Sequence, residues 1–195
     1  VLFVGTLEPR KNLPMLLEAM AQLDDPMPLV VCGPEGWGEQ PDSDDADVRF
    51  LGFVPQDDLS AIYAACHVFC YPSMREGFGL PALEAMSCGA PTIGSNRTSI
   101  PEVIGRADAL FDPESVDDIA ARITSVLSDL SLREDLRKHG LTQAKNFSWA
   151  LSAKRALEFL EHQLTGDAEV LKTSSFRRRP ESSPSRFLEL SDGLD

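Results

Sequence analysis

Cysteine is scarce: Cys32, Cys66, Cys70 and Cys88 are the only four in 195 residues, and none forms a Cys-x-x-Cys pair. That excludes a disulfide framework and reads as buried thiols in a reducing compartment. Basic residues are also short, 18 against 31 acidic ones, for a net charge of −13. A chain that must hold a phosphate backbone needs Lys and Arg in excess, so a nucleic-acid partner is excluded. A small anionic ligand is not, because a few backbone amides and one or two cations suffice. The three histidines, His67, His139 and His162, are scattered without metal-ligand spacing. No apolar run approaches the length of a membrane span and no signal peptide is visible, which makes the cytoplasm the expected location. The chain also lacks an initiating methionine: Val1 opens "VLFV", a buried strand already under way, so the sequence reads as the downstream part of something longer.

What is present is a regular alternation. Apolar runs at Val1 to Gly5, Pro28 to Gly33, Val48 to Val54, His67 to Pro72, Ala90 to Ser95 and Ala109 to Phe111 read as strands. Helix-period segments follow them: Leu13 to Leu23 capped by Asn12, Asp58 to Cys66, the stretch after Glu76, and Ile100 to Ile104. Three helices then close the pattern, over Ser115 to Leu130, Leu132 to Lys145 and Trp149 to Leu164. Strands apolar throughout, each followed by a helix, specify a doubly wound α/β domain with a Rossmann-like parallel sheet over residues 1–166. The Ser-, Arg- and Pro-rich remainder, 167–195, reads as a disordered tail. Its basic cluster Arg177 to Arg179 could touch an anionic lipid surface as a peripheral contact, but a solvated tail is the plainer reading.

In open α/β sheets ligands bind beyond the carboxyl ends of the strands. After the first strand comes "GTLEPRKN", where Gly5 permits close backbone approach and Arg10 and Lys11 precede a helix N-terminus. That is either an anion site or a charged turn. It is not a Walker A loop, and no Gly-x-Gly-x-x-Gly occurs. After the fourth strand comes "REGFGLPALEAMSCGAP", Arg75 to Pro91, in which Gly77 and Gly79 can present amides at a helix start. Glu76 and Glu84, eight positions apart, flank that turn. With helical rise their separation is roughly 12 Å, beyond the roughly 5 to 9.5 Å of a glycosidase carboxylate pair. Such a distance suits two hydroxyl-rich groups at opposite ends of a pyrophosphate, although two solvated surface acids would read the same way. "PDSDDAD", Pro41 to Asp47, contains Asp-x-Asp but lies in an inter-strand loop and is read as solvated acid, not a metal site.

In order and spacing, "GTLEPRKN", "FLGFVP", "REGFGLPALEAMSCGAP", "IPEVIG" and "ALFDP" resemble the nucleotide-sugar-binding half of retaining GT-B glycosyltransferases. The nearest group is the bacterial mannosyl- and glucosyltransferases that build polysaccharides and glycolipids, and the resemblance runs from Val1 to about Leu164. It implies that Glu76 holds hydroxyls of the transferred sugar and Glu84 the ribose hydroxyls. It gives Lys11, with Arg10 beside it, the diphosphate charge, and the amides of the Gly77 turn, Phe78, Gly79 and Leu80 the sugar and phosphate. It sets Gly33, Pro34 and Val54 near the base. Thr6 stands directly after Gly5 where many relatives carry arginine, which makes Arg10 the substitute cation.

The resemblance further implies a nucleotide-sugar donor, a glycan or lipid-linked acceptor, no cofactor and no metal. It also implies an N-terminal acceptor domain missing from this chain, and a location in the cytoplasm or at the inner face of its membrane. The apolar residues Trp149, Leu151, Ala153, Ala156, Leu157, Leu160 and Leu164 are then expected to face that missing half. An epimerase or phosphorylase of the same fold, or a non-catalytic nucleotide-sugar-binding module, shares these motifs; joint retention of Lys11, Glu76 and Glu84 argues against the last.

Overall fold

The structure, a computed structural model, describes residues 1–36 and 47–165. The acidic run up to residue 46 and the tail from 167 onward lie outside the described residues. Residues 1–147 form one compact unit, and Ser148 onward belong to a second.

Six strands, β1 (Leu2–Val4), β2 (Leu29–Cys32), β3 (Val48–Gly52), β4 (Phe69–Tyr71), β5 (Thr92–Ser95) and β6 (Leu110–Phe111), form a single sheet. Their order is β3-β2-β1-β4-β5-β6 and every pairing is parallel. The helices of this unit are α1 (Leu13–Ala21), α2 (Gln56–Ala65), α3 (Leu80–Ser87), α4 (Ile100–Ile104), α5 (Val116–Ser128) and α6 (Leu130–Gln143). This is the doubly wound architecture the apolar runs predict. Five of its strands are buried on both faces because helices cover both, whereas the edge strand β3 is mostly exposed, Phe50 and Leu51 included. Phe3, Phe69, Tyr71, Ile93 and Phe111 are all essentially inaccessible, and each such side chain contributes about 1.5–3 kcal/mol of burial. In the second unit α7 (Trp149–Thr165) begins where Ser148 Oγ accepts from the Leu151 amide, and Lys154 pairs with Glu158 one turn on.

The strand order reverses between β1 and β4, so the loops leaving those two strands diverge and leave a crevice at their carboxyl ends. The loops beyond β1, β2 and β3 are zipped together above the sheet. Gly5 donates to the Cys32 carbonyl, Leu7 to Pro34 and Gly33 to Gly52. Gly33 is required there: a Cβ on it would stand 2.1 Å from the Gly5 carbonyl oxygen, and its φ is +146°.

One cap departs from expectation. Asn12 occupies the residue before α1, but its backbone is left-handed (φ 61°) and its side chain makes no cap bond. Instead its amide donates to the carbonyls of Pro72 (3.2 Å) and Pro113 (2.8 Å). A side chain buried beneath two orphan carbonyls stabilises more by satisfying them than by capping a helix that Pro14 already starts. Asn12 therefore ties the exits of β1, β4 and β6 together, directly under the crevice.

Candidate functional site

The crevice floor is a charged cluster drawn from both sides of the switch point. Lys11, on a short 3-10 turn from Pro9 to Lys11, is buried. Its Nζ donates to Glu76 Oε1 at 2.8 Å and to the Tyr71 hydroxyl at 3.1 Å, and lies 5.1 Å from that ring's centroid. Arg10 is largely exposed and donates to the other Glu76 oxygen, Oε2, at 3.0 Å and to Glu8 at 2.8 Å. Gly5 makes room for the lysine: a Cβ there would lie 3.3 Å from Lys11 Cε and 3.6 Å from Nζ. The Arg10 carbonyl accepts from the Met74 amide, fixing the β1 loop against the β4 loop.

Glu76 is held through its backbone as well as its carboxylate. Its N–H donates to Thr98 Oγ1 at 3.1 Å, and its carbonyl accepts from the Ser99 hydroxyl at 3.2 Å. Thr98 has φ 53°, a left-handed conformation costly for a β-branched residue. The β5–α4 loop thus grips both main-chain polar groups of the acid.

Burial pushes the Glu76 carboxyl up, but the hydrogen bond and charge of Lys11, with Ser73 and Tyr71 adjacent, hold it below the usual carboxylate range. Ser73 Oγ is buried and makes no hydrogen bond of ordinary geometry, although it adjoins both groups. Burial, followed by the Glu76 charge, pushes the Tyr71 phenol up, so it stays protonated.

Because the folded-state pKa of Glu76 lies below its unfolded value, the cluster's stabilisation is present above the ordinary carboxylate pKa of about 4.3. It is lost as pH falls through the folded value. Urea titrations across the acid range are expected to show a shallower loss of stability for Glu76→Gln than for the wild type.

Above this floor is the glycine turn. Gly79 takes φ 101° as the residue before α3, and no side chain caps that helix. Among the described residues none of the amides of Gly77, Phe78, Gly79 and Leu80 donates to another protein group. These free donors at a helix N-terminus form a cradle for anionic oxygens. A Cβ on Gly77 would meet only open space. Phe78 is 40% exposed and packs edge-on against Phe147 at 5.6 Å.

Glu84 stands apart from the cluster. Helical rise does not run from Glu76 to Glu84, because α3 begins only at Leu80, so the roughly 12 Å expectation has no geometric basis across the turn. Glu84 is half-buried, and its Oε2 accepts from Tyr63 of α2 at 3.3 Å. Thr6 and Gly33 are half-buried in the zipped loops, and Pro34 is exposed beside them. Val54 is half-buried just beyond β3. Tyr63, Tyr71, Ser73, Thr98 and Ser99 were not singled out by the sequence. Of these only Tyr71 carried a signal, its place at the carboxyl end of a strand beside the switch point.

Buried cation, paired acid and free amides thus meet at the switch point of a doubly wound sheet, where open α/β sheets bind their ligands. The family model for glycosyl transferases group 1 matches residues 1–143, and the chain belongs to that family. O-antigen chain mannosyltransferase B of Escherichia coli is 47% identical over 161 residues, 76% of this chain and 42% of that protein. The serotype-specific mannosyltransferase WbdA of the same species is 40% identical over 183 residues, 87% of this chain and 22% of its own. The chain thus spans less than half the length of these relatives. Among solved structures, sucrose-phosphate synthase from Thermosynechococcus elongatus superposes with a TM-score of 0.68 at 28% identity, covering 85% of this chain and 45% of that one. Anabaena HepE, in complex with UDP and glucose, gives 0.71 at 22% identity, over 82% and 48%. The fold is the Rossmann-like half of a GT-B glycosyltransferase.

Proposed function

We propose that this chain is the donor-binding half of a hexosyltransferase. The complete enzyme would move a mannose- or glucose-type sugar from a nucleoside diphosphate to a glycan or lipid-linked acceptor with retention. The observation that carries the reading is the buried Lys11–Glu76 ion pair, with the exposed Arg10 on the acid's second oxygen, beside the unpaired amides of Gly77 to Leu80. The mannosyltransferase relatives favour a mannosyl donor, and the UDP and glucose of the structural neighbour support a nucleotide and a hexose in this fold.

In this reading Lys11 and Arg10 neutralise the departing diphosphate, assisted by the free amides, in a site where charge is poorly screened. Glu76 turns its carboxylate toward the sugar hydroxyls. At rest its charge occupies both cations, so donor binding exchanges one set of partners for another. Glu84 takes the ribose hydroxyls, and Gly33, Pro34 and Val54 border the base. The acceptor enters from an N-terminal half, and the site works without a metal. The location is the cytoplasm or the inner face of its membrane; among the described residues no helix is long and apolar enough to cross one.

Calorimetric titration with nucleoside diphosphates tests the donor role. Glu84→Ala is expected to weaken binding by about 1.5–3 kcal/mol, the scale of hydrogen bonds to a charged group. Unchanged affinity in that variant contradicts the assignment.

A further inference from the structure

Tyr63 lies on α2, outside every motif of the proposed donor site, and is 1% exposed. Its ring is locked edge-on against Phe69 of β4, with centroids 5.4 Å apart. Its hydroxyl donates to Glu84 Oε2 at 3.3 Å, the one side-chain hydrogen bond that either residue makes among the described residues. Burial, followed by the Glu84 charge, pushes the phenol's pKa up, so the hydroxyl keeps its proton and donates it to Glu84.

Glu84 itself is unusual. It is a half-buried carboxylate with no cationic partner among the described residues, and its Oε1 carries no protein hydrogen bond. A carboxylate has about four acceptor positions. Tyr63 occupies one of them on Oε2, which restrains the side-chain torsion and leaves both positions on Oε1 free. That arrangement suits two adjacent hydroxyls approaching together.

We infer that Tyr63 is a positioning residue: it holds Glu84 in the orientation that selects ribo- over deoxyribonucleotides at the donor site. The inference rests on the proposed role of Glu84 toward the ribose. Removing the phenolic oxygen leaves the ring, and hence the packing against Phe69, in place, while the carboxylate becomes free to rotate. The loss then falls on the hydroxyl contacts alone.

The test is calorimetric binding of UDP, GDP and ADP, each with its 2′,3′-dideoxy counterpart, to the wild type, Tyr63→Phe and Glu84→Gln, with thermal melting as a check on folding. The wild type is expected to prefer its best ribonucleotide over the dideoxy form by about tenfold or more. Tyr63→Phe should cut that preference at least about threefold while leaving dideoxy affinity unchanged, and Glu84→Gln should reduce it further. Full preference in Tyr63→Phe, with Glu84→Gln impaired, overturns the positioning role and leaves the Glu84 reading standing. Equal loss toward both nucleotides shows a merely structural tyrosine and also overturns it. A wild type that binds but does not discriminate overturns the Glu84 reading and this inference with it.

Discussion

Lys11→Met should lower the stability of the folded chain by about 3 kcal/mol, the lower end of what stripping one partner from a buried ion pair costs. Lys11 and Glu76 have side chains only 7% and 9% exposed, so water cannot replace the lost cation. Arg10 remains on the second oxygen, which keeps the loss from being larger. Transfer by the complete enzyme is expected to fall about 10²- to 10³-fold or more, the scale of removing one preorganised group that stabilises developing charge. The two effects separate in a double variant. Lys11→Met with Glu76→Gln removes both charges and should regain most of the stability in urea titrations, yet recover no transfer. If the double variant is as unstable as the single one, the cluster is not held by charge pairing. If the single variant transfers normally, Lys11 does not serve the leaving group.

Glu76→Gln should split binding from chemistry. At rest the Glu76 carboxylate engages both Lys11 and Arg10, so neutralising it releases cations toward a diphosphate. Affinity for a nucleoside diphosphate without sugar is therefore expected to be unchanged or tighter. Transfer should fall by about 10²-fold or more, because hydrogen bonds to the reacting sugar are lost where they matter most. In kinetic terms the loss appears in kcat and not in competitive inhibition by the free diphosphate. Loss of diphosphate affinity in this variant would contradict the assigned role. The backbone grip by Thr98 and Ser99 makes this a clean substitution, since neither contact uses the side chain.

The frame of the fold was legible because short apolar strands and helical periods are local signals. Ile100–Ile104 was read to the residue, and α1, α2, α5 and α6 within about two residues at each end. Asn12 stands at the expected cap position of α1, but cap rules presume an extended residue whose side chain turns to the helix, whereas here the side chain answers carbonyls 60 and 101 positions away. The same limit hid Tyr63, Ser73, Thr98 and Ser99. Thr98 meets Glu76 only because β5 pairs with β4, and no spacing in the sequence encodes that distance. The motifs likewise gave Lys11, Arg10 and Glu76 separately. Their mutual neutralisation, across 65 and 66 positions, is a property of the sheet's reversal between β1 and β4.

The central claim is that the crevice between the β1 and β4 loops holds a nucleoside diphosphate. Amide chemical-shift mapping of this chain during titration with UDP, GDP and ADP addresses it residue by residue. The account predicts that at least one of them produces saturable shifts concentrated at Gly5 to Asn12 and Gly77 to Leu80, with smaller ones at Glu84. Shifts confined to the outer face of α5 and α6, or none with any of the three at millimolar concentration, would contradict it.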